Sequence, residues 1–220
     1  MRGKFIVVES ADGGGSTSQA AALANRIVER LDNPRSAILT YEPSGGPVGK
    51  LIRKILKGHG KLPSKAMEWL FRADRLEHVQ NKILPAINKG EHVVCDRYYP
   101  STLVYQSVRD TMEESKLAMG DLWHDLFHDK GGPAEFLLPD VILYIDVDLE
   151  IMAERRAKRG GEPELYETTE YQKKVVDLYQ FWWADCNSLE NKIKIDGNQP
   201  LADVERDCWQ AVTGLNWRWE

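Results

Sequence analysis

The chain of 220 residues is long enough for one α/β domain with a sizeable core, or for two very small domains. An apolar fraction of 42% and a charged fraction of 29% are those of an ordinary soluble globular protein, and no apolar run reaches the length of a membrane span. A formal net charge of −5 argues against general adhesion to nucleic acid or to an acidic membrane, but Arg and Lys are clustered, which leaves a small phosphate ligand open. Met1-Arg2-Gly3-Lys4 leads straight into a strand-like segment, so no cleaved leader is expected. Cys95, Cys186 and Cys208 are far apart and lack metal-ligand spacing, which suits a soluble, reducing, cytoplasmic setting.

Lys4–Glu9 (KFIVVE) is rich in β-branched residues and predicts a short buried strand. After a glycine-rich turn, Ala21, Leu23, Ala24, Ile27, Val28 and Leu31 keep helical spacing until Asn33-Pro34. Ser36–Tyr41 predicts a second strand, Glu42–Pro47 a loop, and Val48, Leu51, Ile52, Ile55 and Leu56 a helix up to Gly58. Trp69, Ala73, Leu76, Ile83 and Ile87 predict one face of a single long helix ending near Asn88-Lys89-Gly90. His92–Asp96 is a third strand, and 101–138 predicts two helical stretches broken at Gly131-Gly132-Pro133. Val141–Asp146 and Lys192–Asp196 complete five strands. Strands alternating with helices throughout predict a parallel sheet covered on both faces, in one domain over 1–220 without repeats or linkers.

The turn after the first strand is Ser10-Ala11-Asp12-Gly13-Gly14-Gly15-Ser16-Thr17. Strand, glycine-rich loop and helix form the layout that binds phosphate, because glycines admit the backbone closely and the helix N-terminus offers free N–H groups. The usual pattern is G-x-x-x-x-G-K-S/T. Here Ser10 replaces the first glycine and Ser16 the lysine. A backbone cradle of Gly13, Gly14, Gly15, Ser16, Thr17 and Ser18 survives, with the Thr17 hydroxyl suited to Mg²⁺. The loop alone also reads as a flexible turn capped by Ser16 or Thr17. Losing the lysine removes a point charge from the transferring phosphates, a change that commonly costs on the order of 100-fold to 1,000-fold in rate.

Four blocks follow in order, Glu9 to Gln19, Glu42 to Gly49 with Ile52-Arg53, Phe71 to Arg75 with His78, and Asp96 to Gln106, and through them the chain resembles the thymidylate kinases along most of its length. Glu9 to Gln19 is similar to that family's E-G-x-D-G-x-G-K-S/T-T-Q. Glu42-Pro43-Ser44-Gly45-Gly46-Pro47-Val48-Gly49 with Ile52-Arg53 is similar to E-P-G-G-T-x-x-G and I-R. Phe71-Arg72-Ala73-Asp74-Arg75 with His78 resembles F-x-A-D-R-x-x-H, and Asp96 to Gln106 resembles D-R-Y/F-x-x-S-x-x-A-Y-Q. Pro139-Asp140, Lys158-Arg159-Gly160 and Tyr166-Glu167 follow in family order.

The resemblance implies a P-loop NTPase fold of the nucleoside-monophosphate kinase type, with a lid at about 155–168. It implies ATP and Mg²⁺ as cofactors and a homodimer, while the net charge and the lack of a long apolar run lead us to expect no nucleic-acid or membrane partner. It gives Phe71 a base-stacking role and Arg75 a base carbonyl, with core packing the alternative for Phe71. Arg97 takes the acceptor phosphate, with Asp96 orienting it or holding Mg²⁺ through water; a purely structural Asp96–Arg97 pair is the alternative. Ser101, Thr102 and Gln106 are candidates for the base edge, and Tyr105 for excluding a 2′-hydroxyl. Asp12 belongs near the sugar 3′-hydroxyl and metal. Glu42 and Arg53 line the acceptor-phosphate side, a solvated carboxylate being the other reading of Glu42. Tyr166 and Glu167 lie over the sugar and metal. With no basic residue in the loop, Arg159 or Arg155 is expected to bring transition-state charge, against the reading of a solvated helix end.

The activity expected is transfer of the ATP γ-phosphoryl to a deoxypyrimidine monophosphate, most simply dTMP. A nucleotide-binding pseudokinase and a kinase for another or modified deoxynucleotide are the alternatives. Tyr171, Tyr179, Phe181, Trp182, Trp183, Trp209, Trp217 and Trp219 are assigned to packing or interfaces.

Overall fold

The structure, a computed structural model, describes residues 2–127, 137–160, 166, 168–185 and 191–217, with Arg159 described by its backbone alone. Strands β1 (Phe5–Glu9), β2 (Ala37–Tyr41), β3 (His92–Asp96), β4 (Val141–Asp146) and β5 (Lys192–Asp196) form one sheet in the order β2-β3-β1-β4-β5. Every pairing is parallel. β1 and β3 are buried at every position, as the apolar runs Phe5–Val8 and Val93–Cys95 at their centres require of strands covered on both faces. β1 lies between β3 and β4, where the chain changes the side on which it adds strands. Ligands of open parallel sheets bind beyond the carboxyl ends at such a point.

Helix α1 (Ser16–Leu31) buries Ser16, Gln19, Ala20, Leu23, Ala24 and Ile27, a single stripe at three- and four-residue spacing. Burying an aliphatic side chain as completely as Ile27 stabilises by about 1.5–3 kcal/mol. The helix ends at Asp32 in the left-handed region, whose N–H returns to the carbonyls of Val28 and Glu29. It is followed by α2 (Pro47–Leu56), α3 (Ser64–His78), a π-helical turn over Val79–Ile83 and α4 (Leu84–Asn88). Beyond β3 come α5 (Tyr99–Ser107) and α6 (Met112–Phe127); beyond β4, α7 (Leu149–Arg159) and α8 (Thr169–Asp185); beyond β5, α9 (Leu201–Thr213). α1 packs against β1, β2, β3 and α9, while α5 packs against α3, α6 and α8.

One expectation about the helices is corrected. Trp69, 54% exposed, and Ala73 face solvent, whereas Met67, Asp74, Arg75 and His78 are buried. A π turn holds an extra residue, so it rotates everything after it relative to everything before it. Ile83 and Ile87 are buried on a face that is not the continuation of Trp69 and Ala73. Within the described part of the 101–138 stretch the helices part between Ser107 and Met112; the expected break at Gly131-Gly132-Pro133 lies outside the described residues.

The aromatic assignments to packing hold where they are described. Trp182 and Tyr179 are fully buried, and Tyr144 stacks on Tyr179 with centroids 5.2 Å apart. Trp209 lies under Arg26 and Arg30, and Trp217 under Lys4. Cys95 and Cys208 are free and buried; Cys186 and Trp219 lie outside the described residues. Among the described residues no helix is long and apolar enough to cross a membrane.

Candidate active site

The loops after β1, β2 and β3 meet at the carboxyl edge of the sheet around a cleft of about 360 Å³. Asp12, Thr17, Glu42, Arg53, Phe71, Arg75, Asp96, Arg97, Ser101, Thr102, Tyr105, Gln106 and Tyr166 all border it, so the sequence blocks and one residue of the expected lid converge on one space.

The loop after β1 is shaped by close approaches. Gly13 has φ 92, and a Cβ there would lie 2.6 Å from the carbonyl oxygen of Met152 on α7. Any side chain at Gly13 would therefore be both strained and in collision with backbone. The Gly14 N–H donates to the Ala11 carbonyl at 2.9 Å, closing a tight turn, and Gly15 caps α1. Thr17 and Ser18 are exposed in the first turn of α1, where unpaired N–H groups and the positive dipole end favour an anion.

Arg97 stands at the end of β3 with φ 68, a left-handed conformation that costs a non-glycine residue about 1–3 kcal/mol. Its neighbours hold it there. Nη2 donates to Asp12 Oδ1 at 2.5 Å and Nη1 to Ser101 Oγ at 3.1 Å, while the guanidinium lies 5.5 Å over the Tyr105 ring. The backbone N–H of Arg97 donates to the Val8 carbonyl, extending the β1–β3 ladder by one residue. Asp12 is gripped from its other side by Gln172 of α8, whose Nε2 donates to Asp12 Oδ2 at 3.0 Å and to the Tyr166 carbonyl at 2.7 Å. Burial, and then the Asp12 carboxylate, hold the Tyr105 phenol well above its ordinary range, so it stays neutral.

Asp96 and Thr17 are joined directly, the Thr17 hydroxyl donating to Asp96 Oδ2 at 2.5 Å. Asp96 Oδ1 is buried and without a hydrogen-bond partner, which is costly for a carboxylate oxygen unless a ligand completes it. A hydroxyl and a carboxylate beside a phosphate cradle are the hard oxygen donors Mg²⁺ takes when it keeps several waters and shares the substrate's phosphates. The residues present therefore fit that ion.

On the β2 side the reading of Glu42 as a solvated carboxylate is overturned. Glu42 is buried, 2.8 Å from Arg75 Nη2, and His78 bridges it to Thr40 at 3.2 and 2.7 Å. Arg75 also donates to Thr102 Oγ1 at 2.7 Å. Thr102 thus supports Arg75 as an acceptor, which leaves its own O–H to donate. Ser101 is likewise engaged: its hydroxyl accepts from Arg97, donates to Glu9 Oε2 at 2.8 Å and lies 3.0 Å from the Tyr179 hydroxyl. Both hydroxyls brace arginines, and both residues border the cleft. Gln106 borders the cleft, and its buried Nε2 makes no hydrogen bond. Arg53 donates to the Pro43 carbonyl and, at 2.6 Å, to the Ser44 carbonyl, fixing the loop after β2. Asp74 fixes it from α3 by accepting from the Ser44 N–H and hydroxyl at 2.7 and 2.6 Å. Phe71 is half-buried and borders both the cleft and a small cluster of Ile52, Ile55 and Met67.

α7 delivers two arginines to the glycine-rich loop. Arg156 Nη1 donates to the Asp12 carbonyl, while Arg155 donates to the Gly197 carbonyl at 3.0 Å and reaches the Gly14 carbonyl only at 3.5 Å. Nothing in the sequence sets Arg156 apart from the other basic residues of this stretch; among the described side chains of α7 it is the arginine that runs beside Gly13. The Arg159 side chain and Glu167 lie outside the described residues.

Glu9, at the end of β1, has no role of its own in the motif that contains it. Its carboxylate accepts from the Tyr98 N–H at 2.7 Å, the Ser101 N–H at 3.3 Å and the Ser101 and Tyr179 hydroxyls. Burial pushes this carboxyl up to about 7, against the pull of Arg97 and these hydrogen bonds. The unfolded carboxyl titrates near 4.5, so the folded chain holds the proton more tightly and loses stability as pH rises between the two values. The loss is on the order of 3 kcal/mol and is complete above about pH 7. Melting temperatures of the native chain and of Glu9→Gln should therefore diverge in their pH slope between about pH 5 and about pH 8. Equal slopes in the two proteins would remove Glu9 as the titrating group.

A strand, a glycine-rich loop and a helix N-terminus at the carboxyl edge of a parallel five-stranded sheet define a P-loop fold of the nucleoside-monophosphate kinase type. The same fold is found in a thymidylate kinase structure from Candida albicans, with a TM-score of 0.74 and 23% identity over 97% of this chain and 92% of that one. A family model described as thymidylate kinase matches residues 8–208. A thymidylate kinase from Bradyrhizobium sp. (strain ORS 278) is 35% identical over 223 residues, covering 96% of this chain and 90% of the relative. A relative from Treponema pallidum (strain Nichols) is 35% identical over 193 residues, 87% and 84% of the two chains. The chain belongs to the thymidylate kinase family.

Proposed function

We propose that the protein transfers the γ-phosphoryl group of ATP to a deoxynucleoside monophosphate, dTMP in the first instance, acting as a homodimer as family membership supports. The observation that carries this reading is Arg97. A permanently charged guanidinium, held by Asp12 and Ser101 and stacked on Tyr105, faces a cleft shared with the phosphate-type loop. A planar fork of donors suits a phosphate that must be presented in line to a second phosphate.

In this reading the base lies along Phe71, with Gln106 and the braced Arg75 toward its edge. Tyr105 and Asp12 enclose the sugar. The backbone N–H groups of the loop and of the α1 N-terminus orient the donor phosphates. Arg155 and Arg156 bring to that loop the positive charge that Ser16 does not. Mg²⁺, held through Thr17 and Asp96, would neutralise charge on the transferring group. Catalysis then consists of positioning and charge neutralisation, with no covalent intermediate on the protein.

The test is ADP formation from Mg-ATP by the purified protein, with dTMP, dUMP, dCMP, dGMP and dAMP as acceptors. Turnover that depends on dTMP is expected. Turnover with another acceptor alone would move the specificity and keep the reaction class. No turnover with any of them, while dTMP still raises the melting temperature, would replace the proposal with a nucleotide-binding protein that lacks transfer activity.

A further inference from the structure

The two departures from the usual phosphate-loop pattern face each other across the loop. Ser10 stands where the first glycine is usual and Ser16 where the lysine is usual, and the Ser16 N–H donates to Ser10 Oγ at 3.3 Å. Ser16 is the first residue of α1, so this N–H is one of the helix-terminal donors that have no intrahelical partner and that a phosphate cradle needs. Gly15 caps the helix without any side-chain hydrogen bond of its own. The cap is supplied by Ser10 instead, from six residues back.

We infer that the Ser10 hydroxyl is an internal competitor for the donor phosphates, occupying the Ser16 N–H until nucleotide displaces it. This rests on the reading of the loop as the donor-phosphate cradle. The Ser10 side chain is 1% exposed and absent from the cleft lining. It lies under the loop: a Cβ on Gly14 would come within 2.6 Å of Ser10 Cβ and 2.8 Å of Ser10 Oγ. The hydroxyl is thus folded between Gly14 and the start of α1, where it satisfies the backbone and does not project toward a ligand. The bond is long for an N–H to oxygen contact, so displacing it costs little, but a phosphate gains correspondingly less than it would from an unoccupied donor. The loop therefore holds itself in shape without ligand, at the expense of affinity for the donor.

The experiment is calorimetric titration of the full chain and of Ser10→Ala and Ser10→Gly with Mg-ATP, Mg-ADP and adenosine, alongside melting temperatures without ligand. Both variants free the Ser16 N–H; alanine keeps the Cβ that packs on Gly14 and glycine removes it. Losing one ordinary hydrogen-bond competitor should tighten ATP and ADP by about two-fold to ten-fold in both variants, and leave adenosine unchanged. Unchanged or weakened ATP binding in both would overturn the inference, weakening meaning that the hydroxyl donates to phosphate. Equal tightening of adenosine would overturn it too. If the native chain binds Mg-ATP and the variants match it, only this inference falls. If none of the three proteins binds Mg-ATP, the proposed function falls with it.

Discussion

Arg97→Ala is expected to lower kcat/KM for phosphoryl transfer by on the order of 100-fold to 1,000-fold, the range seen when one preorganised transition-state donor is removed. The size follows from how much of the structure is committed to this one side chain. Asp12, Ser101 and Tyr105 all contact its guanidinium, and Glu9 and Gln172 hold Ser101 and Asp12 in turn. The backbone is itself specialised, since alanine at φ 68 keeps the left-handed strain while losing every contact that sustains it. Arg97→Gly is therefore the cleaner variant, because glycine adopts that φ without cost. Both should lose the same activity, while Arg97→Gly should melt at the higher temperature. Arg97→Lys keeps a charge without the planar fork and should recover only part of the rate. Activity of Arg97→Gly within a few-fold of the native chain would show that Arg97 is a structural bridge between β3 and the Asp12 loop, and that the acceptor phosphate is held elsewhere.

The parts of the site that are legible in the sequence are those in which one short segment carries both the geometry and the chemistry. Asp12 to Thr17 is a loop because of its glycines and a phosphate cradle because a helix follows it, and both facts are local. Strand ends behave likewise, since an apolar run that stops at Asp96-Arg97 places those two residues at the sheet's carboxyl edge. What cannot be read is what crosses the fold. Gln172 meets Asp12 from 160 residues away and Arg156 meets its carbonyl from 144, and neither has a neighbour in sequence that announces the contact. α3 is an intermediate case. Its buried face carries Asp74, Arg75 and His78, so a search for apolar periodicity settles on the exposed Trp69 and Ala73 instead. Apolar spacing finds the buried face of a helix only where that face is greasy. Polar residues on one stripe, Asp74 and His78 at four-residue spacing with Arg75 beside them, are the signal that this face meets a buried polar network.

Arg156→Ala is expected to lower kcat by on the order of 100-fold, with Arg155→Ala the milder change. The loop has lost the lysine that usually places a charge on the transferring phosphates, and among the described side chains Arg156 is the guanidinium set most directly on the loop, against the Asp12 carbonyl. Arg155 is anchored chiefly on the Gly197 carbonyl and reaches the loop at the limit of a hydrogen bond. If Arg156 supplies the missing charge, its importance must depend on what occupies the Ser16 position. Ser16→Lys should then restore a large part of the rate to Arg156→Ala while changing the native chain much less. In a double-mutant cycle the cost of Arg156→Ala should shrink by about ten-fold or more in the Ser16→Lys background, a coupling of about 1.4 kcal/mol or more. Neutralisation of the same developing charge by either group is the physical reason the two effects should not add. Equal losses from Arg156→Ala in the native and Ser16→Lys backgrounds would mean that Arg156 only props the loop through the Asp12 carbonyl. A prop would also show itself in stability, with the melting temperature falling in step with the rate. A charge donor would lower the rate and leave the melting temperature nearly where it was.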